Sequence, residues 1–162
     1  IPRWGCSVEG YQPTAACAEC KGRCCKGAPC AAWPEDFGST KAEIVDGVRE
    51  AVRGGRYCLD WWEGDPFDDG KGDGRSRSLF VRPAVVGHEG LVTHPTWGGA
   101  CTFLGVRGCS LPFDRRPKGG RMLEPVGGGE ECIAHDGSKR GAVLAWYCYN
   151  LEALVDELLE ER

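Results

Sequence analysis

The chain has 162 residues, which is enough for one domain with a modest hydrophobic core. Its formal net charge of −4 argues against a nucleic-acid-binding protein, because such proteins usually carry a basic surplus. The 41% of hydrophobic residues includes 11 cysteines, so the fraction of other apolar residues is low for a chain of this length. We therefore expect bound metal to contribute to the stability of the fold.

The cellular compartment is predicted from the cysteine count and from the targeting features of the sequence. Because the cysteine count is odd, intramolecular disulfides cannot pair all of them. The sequence shows no secretory signal and no run of 18 apolar residues that would predict a membrane span. We expect a cytoplasmic protein with reduced thiols and no membrane association.

The first thiol block places Cys17, Cys20, Cys24 and Cys25 within nine residues. The Cα atoms of Cys24 and Cys25 are ~3.8 Å apart across a trans peptide, whereas a relaxed disulfide needs about 4.4–6.8 Å. Neighbouring thiolates can bind metal without this difficulty, and Cys-x-x-Cys spacing puts two sulfurs on one tetrahedral ion. The block therefore favours a metal site over disulfides.

Several elements are predicted in the first half of the chain. Residues 1–13 are expected to form an extended N-terminal arm. Residues 39–52 are expected to form the first helix, since their apolar residues recur at helical spacing and Thr40 with Glu43 forms a capping box. Strands are predicted at 57–62 and 78–86, where a proline marks an edge strand or an early end. The aspartate-rich loop between these strands lacks the ligand spacing of an EF-hand.

A second thiol block consists of Cys101 and Cys109 on either side of a turn at Gly105 and Gly108. The short apolar runs around this turn predict a hairpin that would bring the two thiols close in space. Four cations follow within seven residues: Arg115, Arg116, Lys118 and Arg121. We expect them to screen the charge of a thiolate site, because the net charge gives no support to RNA binding.

The rest of the chain contributes one more thiol and a helical end. Cys132 is expected to lie in a loop. The segment 138–161 is expected to be helical with a bend near Asn150. His88 and His94 flank a turn-rich segment, where a histidine is more often an ordinary loop residue than a metal ligand.

The order of the thiol blocks resembles that of a known family. The matching positions are Cys17-x-x-Cys20-x-x-x-Cys24-Cys25, Cys101-x-Phe103-Leu104, Cys109-Ser110-Leu111-Pro112-Phe113-x-x-Arg116-Pro117 and Arg121. This pattern resembles the YkgJ-like cysteine-cluster family of zinc- or iron-chelating proteins, over about residues 17–124. Members of that family are mostly small bacterial proteins, and a similar domain occurs in bacterial flagellin lysine N-methylases, where an iron–sulfur cluster is suspected.

The chain departs from this family at one position. The family usually places a cysteine just before the arginine matched by Arg121, and this chain has Gly120 there. One ligand implied by the resemblance is therefore missing. Cys132 is the first candidate to replace it, and three other cysteines follow: Cys30, Cys58 and Cys148. The predicted metal ligands are Cys17, Cys20, Cys24, Cys25, Cys101, Cys109 and Cys132.

The expected cofactor is zinc, with an iron–sulfur cluster as the alternative, because both take thiolate ligands. Three functions stay open: a structural or sensing metal-binding module that docks on a protein partner, an iron–sulfur redox protein, and a metalloenzyme or accessory protein linked to protein methylation. The chain has no Walker loop and no Gly-x-Ser-x-Gly elbow, so the sequence assigns no catalytic residue. Nothing in the sequence determines the oligomeric state.

The expected fold is a small, irregular, metal-stabilised α+β domain over residues 1–162. A short antiparallel sheet and two helical segments would form its core, and the metal would join the first thiol block to the hairpin of the second block. The sheet is predicted from residues near 57–62, 79–86 and 101–111, and the helices from 40–53 and 138–161.

Overall fold

The computed structural model describes residues 23–63, 77–94, 98–106, 108–121, 123–126, 131–134 and 138–162. The predicted α+β class, with short antiparallel strands and a C-terminal helix, is confirmed. The helices are α1 (Arg23–Gly27), α2 (Lys41–Arg53), α3 (Lys118–Arg121), α4 (Ser138–Trp146) and α5 (Leu151–Glu160), with 3-10 turns at Pro34–Asp36 and Phe113–Arg115. The strands are β1 (Tyr57–Glu63), β2 (Arg77–Pro83), β3 (Leu104–Gly105), β4 (Gly108–Cys109), β5 (Leu123–Val126) and β6 (Glu131–Ala134).

Some predictions fall on other parts of the chain. The N-terminal arm at 1–13, Cys17 and Cys20, and residues 64–76 of the aspartate-rich loop lie outside the described residues. Among the helices of the described part, none has the length and apolar character that a membrane span requires.

The strands β1 and β2 form the central antiparallel pair, in a register that sets Leu59 opposite Val81. Both strands match their predicted positions, but β2 ends at Pro83, three residues earlier than expected. Proline lacks the N–H that would extend the ladder. The expected sheet that includes residues 101–111 beside the other two strands is wrong: β3 and β4 pair separately, and an isolated bridge between Val85 and Cys101 links that hairpin to the residues after β2.

The helix α2 begins as its sequence predicts. The Thr40 hydroxyl accepts from the Glu43 backbone N–H at 3.2 Å, and the Glu43 carboxylate accepts from the N–H groups of Ser39 and Thr40. The apolar face of the helix buries Ile44, Val48 and Val52 in the main core. The cap thus fixes where this face starts.

Of the two C-terminal helices, α5 packs against α2 and β2, and α4 packs against β2 and α3. The predicted bend near Asn150 is confirmed as a break: α4 ends at Trp146, and the Asn150 side chain caps α5 by accepting from a backbone N–H at 3.1 Å. Trp146 is buried in the core, and its indole N–H donates to the Ala32 carbonyl at 2.9 Å. Ion pairs also join α2 to the C-terminal end of the chain, from Arg49 to Glu157 of α5 and from Arg53 to Glu161 just after α5.

A second hairpin was not predicted. Cys132 lies on β6, which pairs with β5, and not in a loop. The glycine run at 127–129, which the composition marks as a turn, separates the two strands in the sequence. Both strands are only four residues long, and a run this short carries little periodic signal.

A buried polar group lies beside β1 and β2. Arg82, fully buried, donates from Nε to the Asp60 carboxylate at 2.9 Å. His94 is also fully buried, and its Nε2 lies 3.0 Å from the His88 carbonyl oxygen, so Nε2 carries the proton in the neutral ring. Burial, followed by the charge of Arg82, lowers the pKa of His94. The folded state therefore favours the neutral imidazole.

Replacing Thr40 by Ala should lower the free energy of unfolding by about 1 kcal/mol, because it leaves the Glu43 N–H without its acceptor. Urea unfolding followed by circular dichroism measures this change. Ser39→Ala is the matched control one residue earlier, and we expect a smaller effect there. Equal losses from both substitutions would contradict the assignment of Thr40 as the cap.

The lowered pKa of His94 predicts a pH dependence of stability. Below about pH 6.5 the unfolded chain protonates this ring while the folded chain resists, so the free energy of unfolding falls as the pH falls. Urea titrations at pH 7.5 and 5.5 should show this loss in the wild-type chain and a smaller loss in His94→Gln. Identical pH dependence in the two proteins would refute the assignment, since the other histidines are common to both.

Candidate metal centre

Four cysteines line one small cavity of about 30 Å³, which we call the thiol cavity. They are Cys25, Cys30, Cys101 and Cys109. The remaining wall is mostly apolar and carries one cation: Pro83, Phe103, Leu111, Arg116, Pro117 and Gly120. The sulfurs come from two stretches that are distant in sequence, 25–30 and 101–109, so the fold and not the local spacing alone brings the four together.

Cys25 is held against the second thiol block by main-chain hydrogen bonds. The Cys101 N–H donates to the Cys25 carbonyl at 2.9 Å, and the Gly99 N–H donates to the Gly27 carbonyl at the same distance. The last residues of a helix leave their carbonyls without partners inside the helix. The 99–101 segment supplies these partners for α1 and so places two of the four thiols together.

The 101–109 segment is anchored by the end of the central strand pair. The Thr102 N–H donates to the Ala84 carbonyl at 3.0 Å, and the Arg56 guanidinium donates to the Thr102 carbonyl while covering the Phe103 ring at 4.4 Å. The predicted hairpin is confirmed as β3 and β4, whose turn ends on Gly108 with φ of 107°, a conformation that favours glycine. Cys109 on β4 thereby faces the same cavity as Cys101.

Cys30 reaches the cavity through a close contact between its segment and α3. The Gly119 N–H donates to the Ala31 carbonyl at 3.0 Å, and a Cβ at residue 119 would overlap that carbonyl oxygen. A Cβ at residue 120 would lie 3.1 Å from the Cys30 sulfur. The Gly119-Gly120 pair thus gives Cys30 both its backbone support and its space.

Asp36 ties the same two segments together from the other side. Its carboxylate accepts from the Trp33 N–H at 2.8 Å, from the Lys118 N–H at 2.9 Å and from the Arg121 guanidinium at 3.1 Å. Burial raises the pKa of Asp36, while the N–H donors of Lys118 and Trp33 and the charge of Arg121 oppose the rise. This carboxylate joins the 3-10 turn at 34–36 to the start of α3.

The four cations expected to screen a thiolate site occupy different places. Arg116 is buried in the cavity wall, where its Nε donates to the Leu111 carbonyl at 3.2 Å. Lys118 and Arg121 instead pair with Glu35 and Asp36. Arg115 is exposed. Of the four, Arg116 is the one that the structure places at the thiol cavity.

The thiols are electrostatically coupled. Burial raises the pKa of Cys30 well above its usual value, and the neighbouring thiols of Cys101 and Cys109 raise it further. Burial also raises the pKa of Cys101 to about 11. Cys30 and Cys101 are therefore held as neutral thiols in the absence of metal, and a cation that binds their sulfurs must release their protons.

The predicted ligands are only partly assembled. Cys25, Cys101 and Cys109 line the thiol cavity, while the side chain of Cys24 and that of Cys132 are outside the described part. The strand that carries Cys132 does lie beside α1. Over the residues that the structure describes, no three Cys, His, Asp or Glu side chains are placed to hold a metal ion as they stand.

Three cysteines had been secondary candidates for the ligand missing at Gly120. Cys58 is fully buried on β1 with its sulfur 4.0 Å from the Pro83 carbonyl, and burial raises its pKa to about 12. Cys148 is exposed on the turn between α4 and α5. Cys30, placed in an irregular loop by its sequence, is the one that lines the thiol cavity. One signal for this ligand was available in the sequence, namely that Cys30 is close to the first thiol block. The contact of the Ala31 carbonyl with Gly119 of α3, which places Cys30 in the cavity, is a tertiary contact that sequence spacing does not reveal.

No family model matches this chain, and neither a curated protein nor a solved structure does. The resemblance to the cysteine-cluster family stays a prediction from the thiol pattern. The geometry of the cavity is thus the main guide to function.

Gly119→Ala should lower the free energy of unfolding by about 2 kcal/mol, because the new methyl group overlaps the Ala31 carbonyl and forces two packed segments apart. Gly54→Ala is the control, since a Cβ there meets neighbours only at 3.4 Å and beyond. Urea unfolding compares the two variants. If Gly119→Ala were as stable as Gly54→Ala, the Ala31 carbonyl would not lie close enough to residue 119 to exclude a side chain there.

Proposed function

We propose that this chain is a metal-binding protein that holds zinc through cysteine thiolates at the thiol cavity, in a structural or sensing role. One observation carries the proposal: four cysteines from two stretches that are far apart in the sequence line a single cavity. Thiolates are the ligands that zinc takes in closed structural sites, with four sulfurs at about 2.3 Å from the ion. The donor set of the cavity fits such an ion.

The surroundings of the cavity support thiolate chemistry. Apolar groups such as Phe103 and Leu111 exclude water, and Arg116 adds a positive charge to the wall. Four thiolates on a divalent ion carry a net charge of about −2, which a buried guanidinium offsets in part. The cation next to the sulfurs thus favours their charged, metal-bound form.

The size of the cavity favours a single ion over a cluster. A void needs about 10–15 Å³ to hold one water molecule. A cavity of about 30 Å³ therefore has room for one ion once the sulfurs move toward it, whereas a cubane of four irons and four sulfides would require the walls to separate further. Zinc is accordingly the proposed metal, and the iron–sulfur protein is the alternative that the test below distinguishes.

The other predicted ligands extend this proposal. Cys17, Cys20, Cys24 and Cys132 are four more thiols, the number that a second tetrahedral ion requires. We expect one or two zinc ions per chain. A role in protein methylation would require an open coordination position, and a sensing role would require a protein partner. We place the protein in the cytoplasm, where its thiols stay reduced.

Metal analysis of protein purified without oxygen tests the proposal. The wild-type chain should contain zinc and show no visible colour. Cys101→Ser and Cys109→Ser should each remove one zinc ion and weaken zinc binding by at least about 100-fold, because loss of even an outer-shell partner costs ~10–100-fold. Cys148→Ser removes an exposed cysteine outside the cavity and is the matched control.

Three outcomes would overturn the proposal. Iron with acid-labile sulfide and a brown colour would indicate the iron–sulfur alternative. Protein without metal that also fails to take up added zinc would exclude a metal site. Equal zinc contents in Cys101→Ser and Cys148→Ser would place any zinc away from the thiol cavity.

A further inference from the structure

We propose that Cys30 supplies the fourth ligand of the thiol cavity and that its sulfur occupies the space into which a side chain at residue 120 would project. This inference rests on the proposed function, since a ligand requires a metal. It adds that the site is closed by four thiolates of this chain: Cys25, Cys30, Cys101 and Cys109.

The competition for space is visible in the distances. A Cβ on residue 120 would lie 3.1 Å from the Cys30 sulfur and 3.8 Å from its Cβ. Ordinary contacts between non-bonded heavy atoms lie at about 3.5–4.0 Å, so the first of these distances is too short for an unstrained side chain. The absence of a side chain at Gly120 therefore admits the Cys30 sulfur.

The main chain around Cys30 is held on its C-terminal side. The Ala31 carbonyl accepts from the Gly119 N–H, and the Ala32 N–H donates to the Val81 carbonyl at 2.9 Å. Pro29 precedes Cys30 and is fully buried. With these neighbours fixed, the Cys30 side chain is directed into the cavity, where the Cys101 and Cys109 thiols also lie.

The alternatives within the described residues are less well placed. The Cys58 sulfur contacts the Pro83 carbonyl from inside the sheet, and Cys148 borders a separate cleft at the turn between α4 and α5. Neither residue lines the thiol cavity. Of the cysteines considered for the ligand missing at Gly120, Cys132 is the remaining competitor, because its strand β6 lies beside α1.

The chemistry of the site follows from the fourth thiolate. Three protein ligands leave a zinc position for water or substrate, and that position is what makes a zinc site catalytic. Four thiolates fill the tetrahedron and leave none. A closed site at this cavity therefore predicts structural or sensing use of the metal and no hydrolytic activity.

The test compares cobalt and zinc binding in the full chain. The intensity of the sulfur-to-cobalt charge-transfer absorption of the Co²⁺ form reports the number of thiolates, and competition with a chelator gives the zinc affinity. We expect four thiolates at the cavity in the wild type and in Cys148→Ala. In Cys30→Ala we expect one thiolate fewer and a zinc affinity lower by at least about 100-fold.

The double variant Cys30→Ala/Gly120→Cys tests the shared space. Its new thiol enters the position that the Cys30 sulfur has vacated, so it should restore the fourth thiolate and most of the affinity. Failure of a folded double variant to restore them would refute the shared position. A wild-type spectrum and affinity in Cys30→Ala, with a loss in Cys132→Ala, would assign the fourth ligand to Cys132 and overturn the inference.

Alkylation decides the matter if the double variant does not fold. Zinc should protect Cys30 from iodoacetamide together with Cys101 and Cys109, while Cys148 stays reactive, as read by peptide mass spectrometry. Equal labelling of Cys30 with and without zinc would overturn the inference. A wild-type chain that binds neither Co²⁺ nor zinc would instead overturn the proposed function, so the two failures are distinct.

Discussion

The close approach of two backbones, at Ala31 and Gly119, is the constraint on which the thiol cavity depends. Only a residue without a side chain can donate its N–H to the Ala31 carbonyl at this distance. Asp36 reinforces the contact with two hydrogen bonds across the same boundary, from the Lys118 N–H and the Arg121 guanidinium. Because Cys30 precedes Ala31 and Arg116 lies just before α3, this one contact sets one wall of the cavity and places a thiol and a cation in it.

The apolar core and the thiol cavity are formed by different residues. The core packs α2, α4 and α5 on the β1–β2 pair, and none of the residues that line the cavity belongs to it. Pro83 ends the central pair, and beyond it the chain is joined to the 101–109 segment by the Val85–Cys101 bridge and by the hydrogen bond from the Thr102 N–H to the Ala84 carbonyl. A metal at the cavity would therefore join the part of the fold that has few apolar contacts of its own.

The elements that were predicted correctly from the sequence are those determined by residues close to one another in the chain. The cap at Thr40, the apolar face of α2, the strand pair around 57–83 and the break at Asn150 all follow from spacing or side-chain chemistry within a few residues. The β3–β4 hairpin was predicted, but its separation from the central pair and the β5–β6 pair were not, because strands of two to four residues carry too little periodicity.

The candidate site was predicted in the same uneven way. Cysteine spacing indicated Cys25, Cys101 and Cys109, which do share a cavity. Cysteine spacing could not favour Cys30 over Cys58, Cys132 and Cys148 as the fourth cysteine. That choice depends on which segment the fold places next to Gly120. The four sulfurs of the cavity belong to two local pairs, in which the cysteines are five and eight positions apart, and Cys101 is 71 positions after Cys30. Each pair can form early at little entropic cost, whereas joining the pairs must wait for closure of the long intervening loop. Assembly of the complete site is thus a late event in folding, and a metal ion captured early would be held by one half-site until the chain closes.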